Sequence, residues 1–352
     1  MSAPEFAIAG RAIGPAHPPY VICELSANHN GRIERALEMI DAAAATGADA
    51  VKIQSYTPDT LTIDCDAPDF RIDDGPWAGR TLHDLYGEAQ TPFEWHERLF
   101  AHARARGVTL FSTPFDESAV DLLDDLDCPA FKIASFEAID LPLVAYAASK
   151  GRPMIVSTGM CGLGDIEAVV RTLRESGCEE FALLHCISSY PAPDEQANLR
   201  VIPHLAEAFG CVVGLSDHTA GSAVATASIA LGSAVVEKHF TLARADGGPD
   251  SHFSLEPAEF ATLVEDCRRA HVALGRVDYG LQACERGSLV FRRSLYVVAD
   301  VAAGEPLTRA NVRSIRPGYG LPPAMLPQVI GGRATRDLRR GTALVADMVA
   351  PG

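Results

Sequence analysis

Cationic side chains are scarce in this sequence: 30 Lys and Arg stand against 46 Asp and Glu, a formal charge of −16. The summed field of such a chain repels phosphate polymers and anionic bilayers at long range. That argues against nucleic-acid and membrane-surface partners, and any anionic ligand must meet a local pocket of Lys and Arg. Long apolar runs are missing as well. No stretch of about 18 apolar residues occurs, and the segment from Met1 to Gly14 lacks a basic region followed by an apolar one, so neither a membrane span nor a signal peptide is expected. The expected location is the cytoplasm. The nine cysteines stand singly, with no CxxC pair and an odd total, which argues against a disulfide framework or a cysteine zinc site and fits reduced thiols.

What the sequence has is alternation. Between Tyr20 and Gly275, short apolar runs precede amphipathic stretches eight times, placing expected strands at 20–27, 49–56, 109–115, 129–135, 153–159, 181–190, 212–219 and 234–242. Helix-period apolar residues follow, such as Ile33, Leu37 and Ile40 after the first run and Phe260, Leu263 and Val264 after the last. Gly47, Gly107, Gly151, Gly177, Gly210, Gly232 and Gly275 close these helices, where a left-handed cap costs least. Continuous apolar strands covered by helices imply a parallel sheet, and eight right-handed units close it. The fold class expected for residues 1–275 is therefore α/β, a (β/α)8 TIM barrel. The connection 57–90 is too long for an ordinary loop and is expected over the barrel mouth, with a peripheral excursion as the alternative. Residues 276–290 read as a linker. Residues 291–352 read as a small β-rich domain in which Asp300 to Leu307 is echoed by Asp337 to Leu344, the pattern of a pseudo-symmetric unit.

Ligands meet such a barrel at the C-terminal ends of its strands, so polar residues late in the apolar runs are the site candidates. These are Glu24, Lys52, Gln54, Ser112, Thr113, Lys132, Ser135, Glu137, Ser157, Thr158, His185, Ser188, Tyr190, Ser216, Asp217, His218, Glu237, Lys238 and His239. Burying a lone charge is costly. The charged members therefore form either a pairing network, Lys52 with Glu24 and Lys132 with Glu137, or a ligand site. Lys52 and Lys132, flanked by Ser and Thr hydroxyls, suit a small polyanion carrying a phosphate and a carboxylate. Their acidic and hydroxyl company favours charged ammonium groups, which argues against a Schiff-base aldolase. His218 and His239 end the last two strands and suit a borderline or hard divalent ion, with a satisfied core histidine as the alternative for each.

The segments Glu24-Leu-Ser-Ala-Asn-His-Asn-Gly31, Gly47-Ala-Asp-Ala-Val-Lys-Ile-Gln54, Ser112-Thr-Pro-Phe115, Lys132-Ile-Ala-Ser135, Leu215-Ser-Asp-His218 and Glu237-Lys-His-Phe240 together resemble those of the sialic acid synthases. The resemblance continues through Gly248-Pro-Asp250 and Arg316-Pro-Gly318, and the region after Arg293 is similar to that family's antifreeze-like (SAF) domain. Leu85 to His96 looks most like the branch that makes pseudaminic acid. Ser188 stands where N-acetylneuraminate synthases carry Asn, and Ser251 where many members have His.

The resemblance implies condensation of phosphoenolpyruvate with an open-chain acetamido hexose to give a nonulosonic acid and phosphate. N-acetylneuraminate and legionaminate are the alternative products to pseudaminic acid. It implies Mn²⁺, with Co²⁺ or Mg²⁺ as substitutes, on His218 and His239. Phosphoenolpyruvate would be held by Lys52, Thr113, Lys132, Ser135, Ser188 and Ser216, and the sugar by Glu24, Gln54, Tyr190 and Asp250. Glu137, Glu24, Lys52 and Lys132 would be the catalytic residues, and Arg316 would reach the sugar from the second chain of a domain-swapped homodimer.

Overall fold

Runs of Val, Ile, Leu and Phe without polar interruption fold as strands buried on both faces. The computed structural model describes residues 4–75 and 77–352; residues 1–3 of the expected barrel domain and Pro76 of the long connection lie outside the described residues. The chain divides into two compact units, 1–275 and 276–352.

The first unit opens with an antiparallel hairpin, β1 (Phe6–Ile8) and β2 (Arg11–Ile13), which the alternation pattern did not predict. Its strands are too short to show a period, yet Phe6, Ile8 and Ile13 join the core of the unit. The barrel follows as β3 (Tyr20–Glu24), β4 (Ala50–Ser55), β5 (Thr109–Pro114), β6 (Phe131–Ile133), β7 (Met154–Ser157), β8 (Phe181–Cys186), β9 (Val212–Asp217) and β10 (Val235–His239). Each strand lies inside one of the eight expected runs and is shorter than it. Pairing stops at the rim, so residues such as Ser188 and Tyr190 fall on the loop beyond β8 rather than on the strand.

All neighbours are parallel, and β10 pairs with β3 to close the order β10-β3-β4-β5-β6-β7-β8-β9. The helices cover this sheet through apolar stripes. In Pro257–Leu274 the buried residues Phe260, Leu263, Val264 and Cys267 recur at helical spacing, and full burial of a large apolar side chain contributes roughly 1.5–3 kcal/mol. The seven helix-closing glycines all have positive φ, from 50° to 97°. At Gly107 the φ of 70° follows helix His96–Arg106 directly, so any β-carbon there would be strained.

The second unit begins where a linker was expected, and a 3-10 helix, Ala283–Phe291, runs from that stretch into the first residue beyond it. Its strands are β11 (Ser294–Val297), β12 (Val312–Ile315), β13 (Arg333–Ala334) and β14 (Val349–Ala350), around a core that includes Leu295, Val301, Leu307 and Leu344. The echoed segments meet each other. Val301 and Leu338 exchange backbone hydrogen bonds of 2.9 and 2.8 Å. The Asp300 carboxylate accepts from the Arg340 backbone N–H while that of Asp337 accepts from Ala303, both at 2.7 Å. Equivalent positions thus play equivalent parts, as a pseudo-two-fold requires. Among the described residues, no helix is long and apolar enough to cross a membrane.

Candidate active site

The pleat of β10 turns Glu237 and His239 to one face and Lys238 to the other. Glu237 enters the lumen, where Oε1 lies 3.6 Å from Lys132 Nζ and 3.7 Å from Lys52 Nζ. Lys52 Nζ also lies 2.7 Å from Glu24 Oε2 and donates to Thr113 Oγ1 at 3.0 Å. All four charged groups are buried, and Ser216 Oγ donates to Glu237 Oε1 at 3.4 Å. The pairing of Lys132 with Glu137 is therefore replaced by one with Glu237, because Lys132 points across the lumen while Glu137 lies on the turn after β6.

The two lysines do not stand alone in the lumen. Two ammonium groups face two carboxylates, so a phosphate or carboxylate ligand must compete with Glu24 and Glu237 for the lysines. Burial opposes ionisation of Glu237, but Lys132 and Lys52 hold its carboxyl below the usual range. Burial raises that of Glu24 although Lys52 opposes the shift. Burial also pushes Glu137 up to about 7, and its Oε2 is buried without a hydrogen-bond partner among the described residues.

Four strand-end candidates are taken up by the scaffold. Lys238 Nζ lies 2.6 Å from Asp217 Oδ2, both side chains being buried behind the barrel wall. His185 Nε2 donates to the Ala197 carbonyl at 2.6 Å. Ser112 Oγ bonds Ser55 Oγ at 2.6 Å and donates to the Ile53 carbonyl at 3.0 Å.

His218 and His239 do come together, with ring centroids 5.3 Å apart. His218 Nδ1 faces the Ile187 carbonyl at 3.0 Å. A carbonyl only accepts, so Nδ1 carries a proton, and in the neutral ring Nε2 is the nitrogen with a free lone pair. His239 Nδ1 is buried without a hydrogen-bond partner among the described residues. Burial, then His218 and the nearby lysines, hold this imidazole neutral, well below its ordinary pKa. Among the described residues, no group of three or more His, Cys, Asp and Glu is arranged for a metal. Two imidazoles with an orphaned buried nitrogen still fit a divalent ion that takes its remaining ligands from water or substrate oxygens.

These groups line one cavity of about 470 Å³, together with Ser26, Gln54, Ser135, Ser157, Cys186, Tyr190 and Asp250. Gln54 Nε2 donates to Glu24 Oε1 at 2.9 Å and to Ser26 Oγ at 3.1 Å, and Ser26 Oγ donates to Asp250 Oδ2 at 2.5 Å. Ser135 Oγ accepts from Gly159 N at 3.0 Å. A β-carbon at Gly159 would collide with the hydroxyls of both Ser135 and Ser188, so the glycine lets these two converge. The Tyr190 ring lies 4.4 Å from that of His218 and 6.0 Å from Trp77. Trp77 and Tyr86 also line the cavity, which places the long connection at the mouth rather than at the periphery.

Sequence reasoning left Glu237, Ser157 and Ser26 without roles. The first two were visible as strand-end polar residues, and Ser157 Oγ is buried without a hydrogen-bond partner among the described residues. Ser26 follows β3 inside the Glu24–Gly31 motif. Arg316 directly follows β12 in the second unit and is exposed there.

A closed parallel barrel with lysines, carboxylates and paired imidazoles at its strand ends defines a barrel enzyme. The chain belongs to the NeuB family, whose profile matches residues 39–279, and a SAF domain matches residues 292–350. A pseudaminic acid synthase of Campylobacter jejuni is 42% identical over 92% of this chain and 95% of its own. One of Helicobacter pylori is 39% identical over 94% and 97%. The crystal structure of an N-acetylneuraminic acid synthetase from Leptospira borgpetersenii, in complex with citrate, is 30% identical with a TM-score of 0.73, covering 82% of this chain and 95% of that one.

Proposed function

We propose that this chain condenses phosphoenolpyruvate with open-chain 2,4-diacetamido-2,4,6-trideoxy-L-altrose and water, giving pseudaminic acid and phosphate by C–O cleavage. The observation that carries the reading is the lumen cluster, in which Lys52 and Lys132 stand among the hydroxyls of Thr113, Ser135 and Ser216, beside the imidazoles of His218 and His239. The likeness to pseudaminic acid synthases over most of the chain supports the choice of sugar.

Lys52 and Lys132 bind the phosphate and carboxylate of phosphoenolpyruvate, assisted by Thr113, Ser135, Ser188 and Ser216. Glu24, Gln54, Tyr190 and Asp250 orient the sugar so that its aldehyde carbon faces the enol carbon, and this positioning is a large part of the rate gain. His218 and His239 would hold a divalent ion, Mn²⁺ with Co²⁺ or Mg²⁺ as substitutes, which when bound supplies Lewis-acid polarisation of the aldehyde oxygen. The enol carbon bonds to the aldehyde carbon, whose oxygen takes up a proton, and cationic character develops at C2. Water adds there, and Glu137 accepts its proton. The tetrahedral C2 then loses phosphate by breaking its C–O bond, with the lysines balancing the departing charge. The partner subunit's Arg316 completes the site in a domain-swapped homodimer.

Phosphate release from phosphoenolpyruvate, measured across a panel of 2-acetamido and 2,4-diacetamido hexoses, tests the reading. Release is expected to be fastest with the altro-configured diacetamido sugar. Borohydride trapping of a substrate-lysine adduct would instead establish an imine aldolase.

A further inference from the structure

The cavity has two chemically different walls. Its floor carries the charged groups of β3, β4, β6 and β10, whereas its outer side comes from the connection between β4 and helix His96–Arg106, through Leu61, Ile72, Trp77, Leu82 and Tyr86. Three pieces of local structure present these side chains. Leu61 ends the short helix Pro58–Leu61. Ile72 and Trp77 sit on a small hairpin in which Ile72 N–H donates to the Arg80 carbonyl at 2.9 Å and Gly79 N–H to the Ile72 carbonyl at 2.8 Å. Helix Leu82–Ala89 is capped by Thr81, whose hydroxyl accepts from Asp84 N at 3.2 Å.

The hairpin is tied to the far side of the mouth, since Trp77 Nε1 donates to the Pro249 carbonyl at 3.0 Å, beside Asp250. All five side chains are half-buried, so each keeps free surface. Among the described residues, Asp74 is the one charged group this connection adds to the lining.

We propose that this wall determines acceptor specificity. It reads the end of the sugar remote from the aldehyde and selects a deoxy methyl carbon and acyl methyl groups over hydroxyls. The inference rests on the condensation proposed above. In that arrangement Glu24, Gln54, Asp250 and the two imidazoles take the aldehyde end and the nearer hydroxyls, which leaves the remote substituents to face Leu61, Ile72 and Leu82. A hydroxyl pressed against these side chains loses water without gaining a partner. A methyl group gains from the apolar area it covers.

The test compares kcat/KM for two acceptors of matched configuration. One is a 2,4-diacetamido-2,4,6-trideoxyhexose and the other a 2-acetamidohexose with hydroxyls at C4 and C6. The intact protein is expected to favour the trideoxy sugar by roughly 10- to 100-fold, the range an apolar pocket achieves against an added hydroxyl. Ile72→Thr and Leu61→Asn are expected to reduce that preference by about 10-fold, with an unchanged KM for phosphoenolpyruvate, while Ile72→Val retains it. Equal use of both sugars, or a preference untouched by Ile72→Thr, Leu61→Asn and Trp77→Ala, overturns the role of the wall and leaves the condensation standing. No phosphate release with either sugar overturns the condensation, and the specificity reading falls with it.

Discussion

Lys132 on β6 and Glu237 on β10 meet across the barrel lumen, their Nζ and Oε1 atoms 3.6 Å apart, from strands at opposite positions in the closed order. The contact spans the lumen, so under the proposed condensation phosphoenolpyruvate must displace Glu237 from Lys132 in order to bind.

Removing one partner of a buried pair leaves the other charge uncompensated, at a cost of about 3–5 kcal/mol. Glu237→Gln is therefore expected to lower stability by that amount in urea denaturation, whereas Lys132→Met with Glu237→Leu recovers most of it. Phosphoenolpyruvate turnover is lost in both. Strictly additive losses in the double variant would show that the two groups do not interact.

Glu137 gives two pH signatures of opposite sign. Its carboxyl titrates at about 7 in the folded chain, against roughly 4.3 when unfolded. The folded state thus holds the proton more tightly, and this contribution to stability, present below the unfolded pKa, is lost as pH rises through about 7. A base must be ionised, so turnover is expected to fall as pH drops below about 7. Glu137→Gln should flatten that acid limb at a low residual rate and should stabilise the protein at pH 8 relative to the parent. An unaltered limb in the variant would remove Glu137 from the proton transfer.

Demetallated protein is expected to bind one Mn²⁺ per chain, followed by electron paramagnetic resonance, and His239→Ala to lose that site. Chelation should abolish turnover, with Mn²⁺ restoring it more fully than Co²⁺ or Mg²⁺. Full turnover by thoroughly demetallated protein would refute the assignment of the two imidazoles.

If each site joins one chain's barrel to the partner subunit's Arg316, the inactive variants His239→Ala and Arg316→Ala complement on co-expression. In a mixed dimer one site receives both defects and the other is intact. With half the dimers mixed by random pairing, about a quarter of the parental activity should return. Verified mixed dimers with no activity above the two inactive parents would reject the exchange.

Much of the site was legible because it follows from local rules. Polar residues at the ends of apolar strands pointed to Lys52, Lys132, His218 and His239, and all four line the cavity. The β1–β2 hairpin escaped notice because two three-residue strands carry no measurable period. Gly159 escaped because its reason is steric, the close approach of two hydroxyls from Ser135 and Ser188.

The sequence by itself determined the eight-fold alternation, the glycine caps and the echoed halves of the second unit, since apolar periodicity, left-handed backbone and turn chemistry are properties of short segments. Only the tertiary structure decided which charges face each other. Glu137, near Lys132 in sequence, ends on a turn with an oxygen that has no hydrogen-bond partner among the described residues, while Glu237 reaches Lys132 from the opposite strand. That partnership depends on how the closed barrel aims side chains into its lumen, and no local pattern encodes the distance across it.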